Sequence, residues 1–227
     1  MLAKNLTGDP LSGEDGLSIF DLNAFKSTPL QHDPYDFIIV PGFVKAEALD
    51  AVNRDYPRIE SPGASSIEQL TYGPAFGALV GQLTSPAFEK LFAEKFGIDL
   101  SGHPTMMTIR KYSEPSDGNI HTDSRTKVIT ILIYFNEQWS DEGGKLRVLR
   151  SADNMEDYAA EVPPLGGTLL AFRRSDNSFH GFKSCGEAER RSLQMHWVDP
   201  KRVARREQKQ RRLKTRIKRL LKLGSSR

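Results

Sequence analysis

Apolar and polar residues follow two different patterns along this chain, and the change falls near residue 104. Before it, Phe37-Ile38-Ile39-Val40 forms a short apolar run closed by Pro41-Gly42, which predicts a strand ending in a turn. Lys45 to Arg54 is helical in composition. Two more helices are expected around Ala75–Leu83 and Pro86–Phe96, the second stopped by Gly97. From Pro104 onward, strand-like runs fall near 104–112, 126–135, 145–150, 166–173 and 189–198. Ser-Glu-Pro-Ser-Asp-Gly, Asp-Glu-Gly-Gly and Pro-Pro-Leu-Gly-Gly separate several of them. Strands at this spacing suggest a sandwich or a jelly roll, in an α+β chain whose core is mainly β with helices packed on from the N-terminal side.

Alternation within the runs assigns their faces. In Lys127–Tyr134, period 2 puts Val128, Thr130, Leu132 and Tyr134 on one side and Ile129, Ile131 and Ile133 on the other. In Glu189–Val198, Arg190, Ser192, Gln194 and His196 share a face opposite Leu193, Met195 and Trp197. The polar set is expected to line a cavity and the apolar set to pack on the helices. Of the two adjacent arginines, Arg190 therefore falls to the cavity and Arg191 to the core side.

Size and composition narrow the setting. With 227 residues, 38% of them hydrophobic, the chain suits one globular domain with appendages. Its expected division is a polar N-terminal segment over 1–35, with Asp33-Pro34 near its end, a domain over 36–200, and a tail over 201–227. Cys185 is the one cysteine, which excludes an internal disulfide and a zinc-thiolate cluster and suggests a reducing setting. The N-terminus has no apolar signal-like core and no run of 18 apolar residues occurs, so a cytoplasmic location is expected.

The net charge of +3 hides an asymmetry. The tail carries 13 Lys/Arg against the single Glu207, a balance of +12, which leaves residues 1–200 at −9. Without proline, and with Gly224 its only glycine, the tail reads as a helix beginning after Asp199-Pro200, or as a disordered extension. Leu213, Ile217, Leu220 and Leu221 give it a narrow apolar stripe. Its expected partners are an anionic membrane surface, nucleic acid or an acidic protein.

The chemistry centres on His121-Thr122-Asp123 and His180. In an extended segment residues i and i+2 share a face, so His121 and Asp123 can bind one ion, with His180 arriving 57 residues after Asp123. Two imidazoles and one carboxylate leave half of an octahedral ion open, which suits redox-active Fe(II). With 5 His and 15 Asp in the chain, roughly one third of a His-x-Asp match arises by chance, so context carries the assignment.

That context resembles a known family. His121-Thr122-Asp123, Tyr134-Phe135-Asn136, Glu142 to Arg147 with its Gly143-Gly144 pair, Phe172 eight residues before His180, and Arg190-Arg191-Ser192-Leu193 together look like the 2-oxoglutarate- and Fe(II)-dependent dioxygenases, prolyl-hydroxylase-like branch. The resemblance spans residues 104–198, more weakly 36–60, and excludes the tail. It implies a double-stranded β-helix, or jelly roll, and carries roles onto matching positions. His121, Asp123 and His180 match the iron ligands. Arg190 and Ser192 match the pair that holds the distal carboxylate of 2-oxoglutarate, helped by Tyr134, and Tyr112 matches a position from which a tyrosine can contact the cosubstrate. The implied cofactors are Fe(II), 2-oxoglutarate and dioxygen, with ascorbate as a reductant. The implied reaction hydroxylates an unactivated C–H bond of a protein side chain or small metabolite, releasing succinate and carbon dioxide.

Other residues have plainer readings. His196 is expected behind the ligands, His32 and His103 on the surface, Cys185 as incidental, and Gly143-Gly144 as a turn. The 113–120 loop leads into His121 and is expected to cover the site. Two other functional classes are a non-oxidative cupin-like metal protein, which would add further His or Glu ligands near the first, and an inactive partner-binding relative. A nucleic-acid demethylase would place a second arginine where Gln194 and His196 stand.

Overall fold

A computed structural model describes residues 16–114, 117–185 and 189–205. In chain order the elements are α1 (Leu22–Ser27), β1 (Phe37–Val40), α2 (Ala46–Arg54), β2 (Ser65–Ser66) leading into a 3-10 turn (Ile67–Gln69), α3 (Pro74–Leu83), α4 (Pro86–Phe96), β3 (Thr105–Tyr112), β4 (Lys127–Tyr134), β5 (Leu146–Leu149), β6 (Tyr158–Val162), β7 (Leu169–Arg173), β8 (His180–Gly181) and β9 (Glu189–Val198). Six strands form a major sheet in the order β1-β7-β4-β9-β3-β2, and three form a minor sheet, β6-β5-β8. All paired strands are antiparallel. This is the jelly-roll arrangement, with helices against one face of the major sheet and the minor sheet over the other.

The helix layer follows from local signals. Ser85 caps α4 by accepting the Phe88 N–H at 3.2 Å, Pro86 takes the first helical position, and Gly97 ends the helix in the left-handed region at φ 61°. Phe88, Leu91, Phe92 and Phe96 form its buried face. Phe88 and Phe92 lie 6.1 and 5.5 Å from the Trp197 ring of β9. Leu193, Met195 and Trp197 join Ile129, Ile131 and Ile133 in that same core, as the alternation of β4 and β9 predicts. A second core of Leu132, Tyr134, Leu146, Val148, Leu170 and Phe172 fills the space between the sheets.

Three differences from the sequence reading have physical causes. The expected polar segment over 1–35 is, from Leu17 onward, part of the core: Leu17, Ile19, Phe20 and Phe25 are buried. These four are spaced among polar residues, so no run announces them, and Phe20 stacks on Phe43 at 4.7 Å. Val128 does not share the cavity face with Thr130 and packs toward the helices instead. The register slips there, Lys127 pairing with Val198 and Ile129 with Trp197, so a bulge turns Val128 over and aims Lys127 inward. Finally β2, β6 and β8 have no clear sequence signal: two are two residues long, and β6 reads Tyr-Ala-Ala-Glu-Val.

The chain beyond β9 turns into a helix at 200–205, with the Lys201 and Arg202 N–H groups donating to the Asp199 carboxylate at 2.9 and 3.1 Å. The apolar stripe from Leu213 to Leu221 lies outside the described residues. Among the described residues no helix is long and apolar enough to cross a membrane.

Phe88 touches Phe20, Phe43, Phe92 and Trp197 and is fully buried, so its truncation leaves a cavity at the junction of helices and sheet. Phe88→Ala is expected to lower the unfolding free energy by about 3–5 kcal/mol, measured by urea denaturation.

Candidate metal centre and anion receptor

A short bridge ties the segment before β4 to β8, and it joins two of the expected ligands. His121 N–H donates to the His180 carbonyl at 3.1 Å and His180 N–H to the His121 carbonyl at 3.0 Å. Residues far apart in sequence are thereby fixed side by side, with ring centroids 4.4 Å apart. Asp123 follows His121 by two residues, and one ligating atom from each of the three side chains lies within 4.8 Å of the others. His121 is exposed while Asp123 and His180 are buried, so solvent reaches the cluster from the His121 side.

Backbone carbonyls set the imidazole tautomers. Nδ1 of His121 lies 2.8 Å from the Asn119 carbonyl and Nδ1 of His180 lies 3.0 Å from that of Ser178. A carbonyl only accepts, so each Nδ1 carries the proton and each Nε2 keeps its lone pair for a metal. The Phe172 ring sits 4.7 Å from that of His180 and holds it in place. Burial, then repulsion from its neighbours, brings His180 down to about 4, against the opposing pull of Asp123.

Asp123 is held by both oxygens. Lys127 Nζ donates to one at 2.6 Å and the Thr130 hydroxyl donates to the other. Since that hydroxyl has given its single proton, His196 Nδ1, 3.1 Å away, must donate to the Thr130 oxygen. Burial, then Lys127, hold His196 down at about 4, which keeps its ring neutral near pH 7. Burial alone would raise the Asp123 carboxyl, but Lys127 and the nearby imidazoles outweigh it and hold it at about 2. His196 thus stands one hydroxyl behind the ligand set, where the sequence reading put it. Lys127 was missed, because only the bulge brings it to this face.

At the other end of the cavity lies Arg190, 2% exposed. Its Nε donates to the Gly144 carbonyl at 2.7 Å and its Nη2 to the Tyr134 hydroxyl at 3.2 Å. The guanidinium carbon lies 4.3 Å from the Phe182 ring centre and 5.1 Å from that of Tyr134. Gly144 adopts φ 73°, and a Cβ there would lie 2.4 Å from the Trp139 ring, so this turn does more than open a strand: it presents the carbonyl that orients Arg190. Among the described residues no carboxylate comes within 4 Å of Arg190. Ser192, two residues along the same face, is fully buried, and its hydroxyl has no partner among the described residues. A buried cation beside a buried unpaired hydroxyl is costly unless an anion completes both. Guanidinium, phenol and hydroxyl together are the donor set for a carboxylate.

A cavity of about 210 Å³ connects the two ends, lined by His121, Asp123 and His180, by Thr130, Gln194 and His196, and by Arg190. Asp117 and Gly118 of the 113–120 loop line it too, residues 115–116 lying outside the described ones. Tyr112 is not brought there: its hydroxyl donates to Glu189 at 3.1 Å, and Arg110 lines the cavity instead, paired with Asp117 at 2.5 Å. A register shift between Arg110 and Tyr112 directs Tyr112 to the strand edge. Arg191 binds Glu189 at 2.8 Å and lies over Tyr56, on the opposite side from Arg190.

Fold and site together define a jelly-roll protein with three side chains able to hold one metal ion and, across the cavity from them, a buried guanidinium. Residues 107–199 match the model of the 2OG-Fe(II) oxygenase superfamily, so this segment is similar to dioxygenase domains that use Fe(II), 2-oxoglutarate and dioxygen. Among solved structures, a prolyl-4-hydroxylase from Pseudomonas putida is similar at 16% identity, covering 79% of this chain and 91% of its own, with TM-score 0.52. A 2OG-Fe(II) oxygenase family oxidoreductase from Burkholderia pseudomallei gives 15% identity, 78% and 91% coverage and TM-score 0.52. A prolyl 4-hydroxylase from Phytophthora capsici gives 14%, 86% and 68%, and 0.51. At these identities the likeness is one of fold. No curated protein sequence matches significantly.

Acidification tests the neutral imidazoles. From their ordinary 6.5 down to about 4, His180 and His196 take up protons when the chain is unfolded but not when it is folded. Stability of protein stripped of metal should therefore fall as pH drops from 6.5 toward 4, by at most about 3 kcal/mol per histidine. His196→Asn should flatten part of that slope in urea titrations at a series of pH values.

Proposed function

We propose that this chain is a dioxygenase that hydroxylates an unactivated C–H bond of a small metabolite or protein side chain, coupled to decarboxylation of 2-oxoglutarate to succinate. His121, Asp123 and His180 would hold Fe(II), while Arg190, Ser192 and Tyr134 would hold the distal carboxylate of 2-oxoglutarate. The carrying observation is the buried Arg190 guanidinium, which pairs with no carboxylate among the described residues yet shares one cavity with the three ligands. An anion long enough to reach from Arg190 to the metal completes the receptor at one end and supplies metal donors at the other.

The bound iron supplies activation of dioxygen at its open positions. Everything else falls to the side chains. Nδ1 protonation aims both Nε2 lone pairs inward. The Thr130 hydroxyl and Lys127 fix the Asp123 carboxylate in one orientation and balance its charge. Arg190, clamped between Gly144 and Tyr134, offers a planar fork that selects a carboxylate and sets how far the cosubstrate reaches. The Phe172 ring packs on His180 and the Phe182 ring on Arg190. A non-oxidative metal protein has no use for the receptor around Arg190, which weighs against the cupin-like reading.

Each of His121→Ala, Asp123→Ala and His180→Ala should abolish succinate formation from 2-oxoglutarate and reduce Fe(II) bound per chain. Full turnover in His180→Ala would remove the assignment. Arg190→Ala should raise the KM for 2-oxoglutarate by the equivalent of about 2–5 kcal/mol. Arg191→Ala should leave that KM in place and act on stability, through its contacts with Glu189 and Tyr56. The compound class that most stimulates succinate formation would identify the substrate.

A further inference from the structure

Three connections converge at the end of the major sheet that carries the metal ligands: the 123–127 turn before β4, the 174–179 segment after β7, and the helical turn at 200–205. Between them lies a cleft of about 510 Å³ lined by Arg125, Arg174, Arg202, Arg205, Ser124 and Thr126, with Asp176 the acidic group in the lining. The 123–127 turn is the wall it shares with the metal cavity.

Two of the guanidiniums are set in place by backbone carbonyls. Arg174 Nε donates to the Asp123 carbonyl at 3.2 Å, and Arg202 Nη1 donates to that of Arg125 at 2.8 Å. Asp176 takes Arg174 at 2.8 Å and Arg125 at 3.6 Å, and Asp199 takes Arg202 at 3.1 Å. Four cations against these two carboxylates leave an excess of positive charge, in a chain whose first 200 residues sum to −9. A lone carboxylate would satisfy one guanidinium. A tetrahedral dianion offers enough oxygens for several at once, and the Ser124 and Thr126 hydroxyls add donors at the same wall.

We propose that this cleft is a phosphate-binding site that docks a phosphoryl group of the substrate beside the metal centre. That the group belongs to the substrate rests on the oxygenase reading above; the cleft itself does not. A phosphate held there is separated from the Asp123 carboxylate only by the 123–127 turn, so a molecule anchored by it can extend over that wall toward the metal. The phosphoryl group could belong to a soluble ester or to a lipid headgroup.

Calorimetric titration of the full-length chain with inorganic pyrophosphate, without iron because pyrophosphate chelates it, reads the cleft directly. One equivalent should bind, and Arg125→Gln/Arg202→Gln/Arg205→Gln should weaken it by about tenfold or more at the same ionic strength. Lys218→Gln/Arg219→Gln/Lys222→Gln removes the same charge from the tail and should change affinity by less than about twofold. Equal weakening in both triple variants would reduce the effect to bulk charge and overturn the proposal, as would the absence of pyrophosphate binding in the unmodified chain. Thermal transitions check folding. If the cleft triple does not fold, the exposed Arg205→Glu alone should still weaken pyrophosphate severalfold, and an unchanged affinity would overturn the site. Flotation with phosphatidic acid vesicles separates the sources: capture that pyrophosphate competes away marks a headgroup, and pyrophosphate binding without capture marks a soluble ester. Because neither iron nor 2-oxoglutarate is present, failure of the cleft leaves the oxygenase reading standing, and the reverse holds.

Discussion

Everything at the metal centre depends on one antiparallel bridge, the two hydrogen bonds exchanged by His121 and His180. Each residue gives and takes one backbone bond, which fixes their separation and also the sides to which their rings point. Asp123 inherits its position by period-2 geometry. A slip of one residue at that bridge would turn His121 and Asp123 to the outer face together, so the register is specified by the metal site as well as by packing. Tyr35 reinforces the arrangement from the N-terminal segment by donating to the Phe179 carbonyl at 2.9 Å, next to His180. The segment that looked like an appendage thus braces the ligand strand.

Two cations, the half-buried Lys127 and the buried Arg190, mark the ends of the cavity, and they are treated differently. Lys127 is neutralised inside the protein by Asp123. Arg190 is surrounded by a carbonyl, a phenol and two aromatic rings, which orient a positive charge without cancelling it. In a weakly screened interior that difference decides where an external anion goes. The carboxylate of Asp123 is committed to a metal and its lysine, so the unmatched charge is at Arg190. Lysine there could not replace the arginine, because one ammonium cannot hold the Gly144 carbonyl and present a planar fork.

The site was legible where function and strand alternation coincide. Arg190, Ser192 and Tyr134 lie on long strands, where period 2 placed them on one face, while motif spacing singled out His121, Asp123 and His180. Legibility failed at irregularities. The bulge at Lys127 and Val128 exchanged the faces of two residues, bringing in a lysine and removing a valine. The shift between Arg110 and Tyr112 did the same on β3, substituting an arginine for the tyrosine that motif spacing favoured. Both irregularities depend on pairing with β9, which no local run of residues encodes. The N-terminal core residues were hidden for a related reason: Leu17, Ile19, Phe20 and Phe25 are sparse in sequence and become a cluster only against Phe43 and α4.

Charge distribution gives the irregular end of the sheet a meaning of its own. A core at −9 repels anions at long range, and 2-oxoglutarate is a dianion. The arginines of the 123–127 turn, the 174–179 segment and the 200–205 turn invert that field locally, at the end of the barrel where the metal ligands are. The chain then continues into its most basic segment from that same end. Placing this segment after β9 costs the fold nothing, because β9 is the last strand and its C-terminal end already lies beside the ligands. The arginines in that lining favour approach of an anion at the metal end, where both the cosubstrate and a phosphorylated substrate would be drawn.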